Sequence, residues 1–562
     1  MTSGNKDGPE YRAGLGYIKE TTMEKPFWKN AVFYQIYPRS FCDTNGDGIG
    51  DIPGMISKLD YLKNLGVDVL WLSPVYKSPN DDNGYDISDY KAIHPDYGTM
   101  EDFEELMRQT KARGMKVIMD LVINHTSDEH EWFQRALAGE KKYRDYYIIR
   151  KGKNGKLPNN WGNFFGMCPW DVFGDPKNEE YYLHLFSKKQ PDLNWDNPAV
   201  YEEVVDILCF WLDKGVAGFR CDVINVIHKN TLADGKKQLA LTGLEHYLST
   251  EGCHDILRRL RQDVFEPYGA FTVGETVMVD IPKAKDLCAP EREELNMVFS
   301  FEHMECDQIG VKWFKTKFKP EKLMKTLTKW QKGMEWNTCY LENHDQPRSV
   351  SRFGDDGKYR VESAKMLGAM NLTLRGTPFI FEGQEIGMTN GDFKNLGEIM
   401  DVESHSIDKM AKSLGIVQPF RWELIRKTSR DNARTPMQWN GEENAGFTTG
   451  KPWLQVNENY RDINVEKDMA DPKGIHAFYK RAIAFRKNSD VLRWGDYEEL
   501  YAKGTVYIYR RSYEGKSLTA VCNFASGEKK MPMDIAGPVV LSNYDSVTGD
   551  TLKPWEFRLV EG

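Results

Sequence analysis

The chain has 562 residues, 40% of them hydrophobic and 28% charged, the balance of an ordinary globular protein too long for one core. A formal net charge of −9 argues against nucleic acid or an anionic membrane as partner. Nine cysteines, odd in number and without a CxxC pair, argue against a disulfide scaffold and for reduced thiols in a cytoplasmic setting.

Residues 1–26 are polar, lack the apolar core of a signal peptide and are expected to form a flexible lead. No apolar run approaches membrane-spanning length. From residue 27, short apolar runs alternate with amphipathic helical stretches: AVFYQIY (31–37), MISKLDYLKNLG (55–66), VDVLWLSP (67–74), TMEDFEELMRQTKARG (99–114) and MKVIMDLVINH (115–125). The pattern resumes near residue 198, and eight strand candidates follow in all. Repeated βα units imply parallel strands covered on both faces, so the predicted architecture is an α/β fold, a (β/α)8 barrel over 27–125 and 198–492. Between 126 and 197 the rhythm fails in a stretch rich in Trp, Phe, Gly, Asn and Pro. A segment that long predicts a small domain inserted after strand 3. From 493 to 562 short β-rich runs separated by Gly, Asn and Asp predict a C-terminal antiparallel β-sandwich domain.

Within GVAGFRCDVIN (215–225), a strand period of two puts Arg220 and Asp222 on one face and Phe219, Cys221 and Val223 on the other. That stretch alone is as well read as a structural ion pair as an active site. Barrel chemistry, however, sits at the C-terminal ends of strands. Those ends carry His125, Arg220 with Asp222, Glu275, and His344 with Asp345. Three carboxylates, two histidines and an arginine on one rim repel and desolvate badly as mere structure, which favours a site. With no metal-ligating Cys/His set and no dinucleotide glycine loop, the carboxylates point to glycoside chemistry. Farther up the chain, DTNGDGIGD (43–51) offers oxygens at Asp43, Asn45, Asp47, the Ile49 carbonyl and Asp51. It is like the front of an EF-hand loop, but Gly54 stands where a bidentate glutamate belongs, and a solvated turn reads equally well.

Six segments carry a resemblance: DLVINHTSDEH (120–130), LHLFSKKQPDLNW (183–195), GFRCDVIN (218–225), FTVGET (271–276), ENHDQPR (342–348) and SRDNARTPMQW (429–439). The chain resembles the α-amylase superfamily, glycoside hydrolase family 13, and within it the oligo-1,6-glucosidase and isomaltase group, over all but about its first two dozen residues. The resemblance implies a retaining, exo-acting hydrolase of α-1,6-glucosidic bonds in isomalto-oligosaccharides. It makes Asp222 the nucleophile, Glu275 the acid/base and Asp345 the transition-state stabiliser, with the first two about 5 Å apart. It has His125 and His344 hold sugar hydroxyls, and Arg220 keep Asp222 ionised. Tyr85 becomes the platform under the glucose ring. Asp86 and Arg434 become the pair closing the pocket over the non-reducing end. Phe165, Phe186 and Gln190 line the entrance from the inserted domain. Val223, directly after the nucleophile, is the residue of α-1,6-acting members. The resemblance also implies a structural Ca2+ in the 43–51 loop; no organic cofactor is expected, and the sequence leaves the oligomeric state open, with a monomer expected. Alternatives within the fold are a sucrose isomerase or transglucosidase, and an α-glucosidase with broad α-1,4 or sucrose activity. A non-enzymatic transporter subunit is disfavoured by the intact triad and the lack of a membrane-spanning run.

Overall fold

A computed structural model describes residues 26–562 apart from 154, 239, 240 and 548, so the expected N-terminal lead lies, but for its last residue, outside the described residues. Eight strands form the barrel: β1 (Phe33–Ile36), β2 (Val69–Leu72), β3 (Lys116–Leu121), β4 (Gly218–Cys221), β5 (Phe271–Glu275), β6 (Met297–Phe299), β7 (Thr338–Cys339) and β8 (Thr377–Phe381). They pair in parallel in the order β6-β5-β4-β3-β2-β1-β8-β7. The backbone ladder is open between β6 and β7. There Thr338 Oγ1 donates to the Val298 carbonyl at 2.9 Å and Tyr340 OH to that of Ser300 at 2.7 Å. Except for Lys116 every strand residue is buried, which is why these strands read as continuous apolar runs.

The barrel interior is filled by rings. Phe33 and Phe299 lie 4.6 and 4.7 Å from Phe379, Phe271 lies 5.2 Å from Phe33, and Trp71 lies 5.4 Å from Phe299. The Arg220 guanidinium rests 5.4 Å above the Trp71 ring, so the charged layer begins where the aromatic plug stops.

Two excursions rise around that layer. After β3 comes a three-stranded antiparallel sheet with Glu180–Leu183 between Ile149–Lys151 and Trp170–Val172, inside the insertion expected at 126–197. It is pinned to the barrel by a bridge between His125 and Asp192 and by Lys229 Nζ on Asp192 Oδ2 at 2.6 Å. After β8 the chain runs through helices Val402–Ser413 and Phe420–Thr428 before rejoining the barrel.

The C-terminal unit is a five-stranded antiparallel sheet, β9 (Asp496–Lys503), β10 (Val506–Tyr513), β11 (Lys516–Asn523), β12 (Val539–Ser542) and β13 (Phe557–Glu561), ordered β9-β10-β11-β13-β12. Val506, Ile508 and Val521 on one face meet Leu552 of a second, two-stranded sheet. On the other face Tyr509 OH bonds Thr373 Oγ1 of a barrel helix at 2.6 Å. No helix among the described residues is long and apolar enough to cross a membrane.

Candidate active site

β4 ends at Cys221, and Val223 turns the chain in the left-handed region at φ 34°. A branched residue in that conformation costs about 1–3 kcal/mol, and such strain gathers where a functional side chain must be aimed. The turn leaves Asp222 at the strand end and points the Val223 N–H at Glu275 Oε2, 3.3 Å away. Arg220, on the same face as Asp222, joins three carboxylates. Its Nη1 meets Asp222 Oδ1 at 2.6 Å and also Asp120 Oδ1, and its Nη2 meets Glu275 Oε2 at 2.6 Å. Asp120 stands opposite Arg220 in the β3–β4 register and also accepts from Trp71 Nε1 at 2.9 Å.

One guanidinium faces three carboxylates here, nearly out of water. Burial therefore dominates: it pushes Asp120 up to about 6 despite Arg220. It also raises Asp222 well above the carboxylate range, and the charges of Glu275 and Asp120 and a hydrogen bond between the Asp222 and Glu275 carboxyls add to the rise. Arg220 lowers the Asp222 pKa, as expected, but not enough to bring it below its ordinary value. A cation shared three ways does not offset full burial.

A cavity of about 650 Å³ opens above this cluster, lined by Asp222, Val223, Glu275, Tyr85, His125 and Asp345 and, from the inserted domain, by Phe165, Phe186 and Gln190. Phe186 lies 5.3 Å from the His125 ring and 5.9 Å from Phe165. Gln190 Nε2 is 3.1 Å from His125 Nε2 and 3.3 Å from Asp82 Oδ2. Burial lowers His125 to about 4 and leaves it neutral.

The facing wall is built differently. Arg434 Nη2 holds Asp345 Oδ1 at 2.7 Å, and Arg430 Nη1 lies 3.6 Å from the same oxygen. Arg430 Nη2 also reaches Asp82 Oδ1 at 2.8 Å and Asp401 Oδ1 at 2.7 Å. Burial would raise Asp345, but His344, Arg430 and Arg434 hold it far below the usual carboxylate range.

Three expected placements are corrected. Asp86 does not close the pocket. It is fully buried beneath its own loop, taking the N–H groups of Asp81 and Asp82 at 2.9 and 3.0 Å, and the carboxylate it thereby presents to the cavity is Asp82. Arg434 does not line the cavity either; it is fully buried behind Asp345 and donates from Nε to the His344 carbonyl at 2.9 Å, while Arg430, one helical turn earlier, lines the cavity and pairs with Asp82. His344 is also fully buried. Its Nε2 is hydrogen-bonded to Tyr85 OH at 2.7 Å and its Nδ1 to Gln35 Nε2 at 2.8 Å, so it supports the Tyr85 ring stacked on it, 5.4 Å away, from behind the cavity lining.

The 43–51 loop lies apart from the cavity, clamped to the segment after β8 through Asp43 N–H on the Phe447 carbonyl at 2.9 Å and Trp453 N–H on that of Gly48 at 3.0 Å. Asp43 Oδ1, Asn45 Oδ1 and Asp47 Oδ1 each accept a backbone N–H two residues on at 2.8–2.9 Å, and Asp51 Oδ2 accepts from Thr44. The donors are all hard oxygens, as calcium requires. Among the described residues, however, no three His, Cys, Asp or Glu side chains converge as a ligand set.

Residues 35–495 match the family described as Alpha amylase, catalytic domain. An oligo-1,6-glucosidase of Parageobacillus thermoglucosidasius is 50% identical over 559 residues, 96% of this chain and 99% of that one. A trehalose-6-phosphate hydrolase of Bacillus licheniformis, solved as a variant, superposes with a TM-score of 0.90 at 44% identity, over 96% of this chain and 100% of that one. A variant isomaltulose synthase of Erwinia rhapontici in complex with sucrose superposes at 0.92 and 40% identity, over 96% and 100%. Together with the barrel, its two excursions and the carboxylate rim, these matches identify the chain as a member of the alpha-amylase family, glycoside hydrolase family 13.

Proposed function

We propose that the protein is a retaining, exo-acting α-glucosidase that releases glucose from the non-reducing ends of α-1,6-linked isomalto-oligosaccharides. The observation that carries this reading is that Asp222 and Glu275 share one guanidinium, each carboxylate 2.6 Å from a different Arg220 nitrogen. An inverting enzyme keeps its carboxyls about 6.5–9.5 Å apart to admit a water, whereas a retaining one keeps them about 5–5.5 Å apart, and the sharing of one guanidinium supports the shorter spacing. In the proposed cycle the Asp222–Glu275 pair holds one proton, which resides on Glu275 when substrate is bound. Glu275 gives it to the departing glycosidic oxygen while the ionised Asp222, held by Arg220, attacks the anomeric carbon. Glu275 then takes a proton from water as the glucosyl–Asp222 ester is hydrolysed. Asp345, ionised between two arginines, binds hydroxyls of the glucose, with Tyr85 beneath the ring. Asp82 and Arg430 cap the non-reducing end, which restricts cleavage to terminal units. Val223, at the cavity wall, biases the aglycone side toward the α-1,6 bond.

A phosphorylated substrate, as in the name of the trehalose-6-phosphate hydrolase, fits less well. The lysine and arginine lining the cavity are Lys312 and Arg430, and both are already paired with carboxylates: Lys312 with Glu403 at 2.5 Å, and Arg430 with Asp82 and Asp401. A phosphate needs a cation free to meet it. The test is product analysis on isomaltose, maltose, trehalose 6-phosphate and sucrose in parallel. Glucose from isomaltose at the highest kcat/KM is expected; a preference for the phosphorylated sugar, or isomerised sucrose, overturns the assignment.

Calcium in the 43–51 loop and a cytoplasmic location are further proposals. Nine unpaired cysteines support a reducing compartment. For the metal, chelation is expected to lower Tm with little effect on activity, because an ion bound only by the folded state stabilises it by mass action. Equal Tm in calcium and in chelator rejects the site.

A further inference from the structure

The ladder between the two strands that carry the reacting carboxyls stops one residue short of both. β4 and β5 pair as far as Cys221 opposite Gly274, and the next residues are Asp222 and Glu275. From there each turns to a different neighbour: the Asp222 N–H donates to the Leu121 carbonyl of β3 at 2.9 Å, and Glu275 pairs with Phe299 of β6. The two chains meet again through one side chain. Asn225 stands in the short turn Ile224–Val226 that follows the left-handed Val223, and it is fully buried. Its Oδ1 accepts the Val277 N–H at 3.1 Å, and its Nδ2 donates to the Val277 carbonyl at 2.9 Å. A backbone N–H can only donate and a carbonyl only accept, so the amide has one orientation and exchanges two hydrogen bonds with Val277, as a residue of a neighbouring strand would. Nδ2 also donates to Ser249 Oγ at 3.2 Å, and the Asn225 carbonyl takes the Ser249 N–H at 2.7 Å. Between Glu275 and Val277, Thr276 donates from Oγ1 to the Phe299 carbonyl at 3.0 Å. Glu275 is thus bracketed by the ladder before it and a side-chain rung two residues after it. Val223 and Val277 line the cavity, with Asn225 behind that lining.

We propose that Asn225 is a positioning residue that fixes Glu275 against Asp222, its side-chain amide serving as a further rung of the β4–β5 ladder beyond the two carboxyls. The proposal rests on the glucosidase reading, with Glu275 as the acid/base. Acid and nucleophile act on one glycosidic bond from the ends of two strands, so their spacing must be held where the strands' own hydrogen bonds have stopped. A displacement of about 1 Å in a reacting group costs about 10²-fold in rate. Because Asn225 does not meet the sugar, its loss falls on proton transfer to and from Glu275 and not on substrate binding.

The experiment takes Asn225→Ala, Asn225→Asp and Ser249→Ala beside Glu275→Gln. The substrates are nitrophenyl α-glucoside and whichever of isomaltose, maltose and sucrose the wild type cleaves fastest. In Asn225→Ala kcat on the natural sugar is expected to fall about 10²-fold with KM nearly unchanged. Single-turnover glucosylation from nitrophenyl glucoside, whose leaving group needs no proton, should fall far less. Azide supplies a readout that a loss of packing does not move. It attacks the anomeric carbon of the glucosyl–Asp222 ester, and the carbon–oxygen bond breaks with its electron pair returning to Asp222. No proton has to be removed, so glucosyl azide forms and nitrophenol release accelerates where Glu275 fails as the base. Asn225→Asp keeps the volume and the acceptor for the Val277 N–H. It should show the same pattern with a smaller loss, and it decides the matter if Asn225→Ala does not fold. Ser249→Ala leaves the Val277 pair intact and should stay close to wild type. Equal losses on both substrates without a response to azide overturn the proposal. So does a Ser249→Ala protein as impaired as Asn225→Ala, which marks general loop packing, or a kcat within about twofold of wild type in folded Asn225→Ala. If Glu275→Gln itself shows no response to azide, the acid/base assignment fails and the proposal with it. If Glu275→Gln responds and the Asn225 variants do not, only the proposal fails.

Discussion

The two walls of the cavity carry the same kinds of residue in different proportions. Beneath one wall a single guanidinium, Arg220, serves Asp120, Asp222 and Glu275. On the other, Arg430, Arg434 and Lys312 serve Asp82, Asp345, Asp401 and Glu403. The first wall has a surplus of negative charge in a dry place, and burial drives Asp120 and Asp222 toward their protonated forms. The second is close to balanced, and Asp345 and Asp401 stay ionised although burial also pushes Asp82 up. The ratio of cations to carboxylates, not the residue types, decides which wall can hold a proton. A glycosidase needs both behaviours within one sugar ring's width: a proton donor on one side and a fixed anion on the other.

The largest effect is expected from removing the chemistry of the first wall. Asp222→Ala should abolish turnover while the protein stays folded, since it takes away a nucleophile and little core volume. Glu275→Gln should lose about 10²–10⁴-fold on natural glucosides and far less in the glucosylation step with nitrophenyl glucoside, whose leaving group needs no proton. Single-turnover kinetics that show equal loss on both substrates count against Glu275 as the acid.

Stability should separate the walls next. Arg434→Met leaves Asp345 with less compensation and is expected to cost on the order of 3 kcal/mol, as breaking a buried pair does. Asp222→Asn relieves a surplus and should leave stability unchanged or raised. Urea midpoints that move alike for the two variants refute the contrast.

The pH dependence should have opposite signs. Asp120 holds its proton to about 6 when folded but to about 3.9 when unfolded, so its contribution is full at low pH and fades as pH rises through 6. Asp401 is held far below 3.9, so its contribution is full above that value and fades as pH falls. Relative to wild type, Asp120→Asn should therefore gain on the order of 2–3 kcal/mol between pH 4 and 7. Asp401→Asn should recover ground only below about pH 4. Parallel stability curves for wild type and both variants remove the argument.

The smallest effect is expected at the seam between the walls. Val223→Ala or Val223→Thr touches neither cluster's charge. A methyl-sized contact discriminates by about 1–3 kcal/mol at most, so the maltose-to-isomaltose ratio of kcat/KM should rise by about tenfold or more. An unmoved ratio withdraws Val223 from linkage selection.

Much of this was legible in the chain. Period-two placement puts Arg220 and Asp222 on one face without any fold, and continuous apolar runs of four to six residues separated by amphipathic helices specify parallel strands, because only buried strands tolerate them. From the barrel, the strand ends bearing Asp222, Glu275, His344 and Asp345 follow. What the sequence could not show was pairing across distance. Asp120 reads as one polar residue inside MDLVINH, and its partnership with Arg220 exists only because β3 and β4 lie in one register, a hundred residues apart. Asp82 and Asp86, like Arg430 and Arg434, are alternatives of the same type four residues apart. Composition and spacing treat them alike, and the tertiary structure separates them. A loop turned on Asp86 exposes Asp82, and the short helix Asp431–Arg434 buries its last residue behind Asp345 while leaving Arg430 on the cavity side. Local residue pattern determines strands and which side chains leave together, since those depend on neighbours in the chain. The charge balance of each wall depends on which elements close over it, and that is decided only when distant segments share one desolvated space.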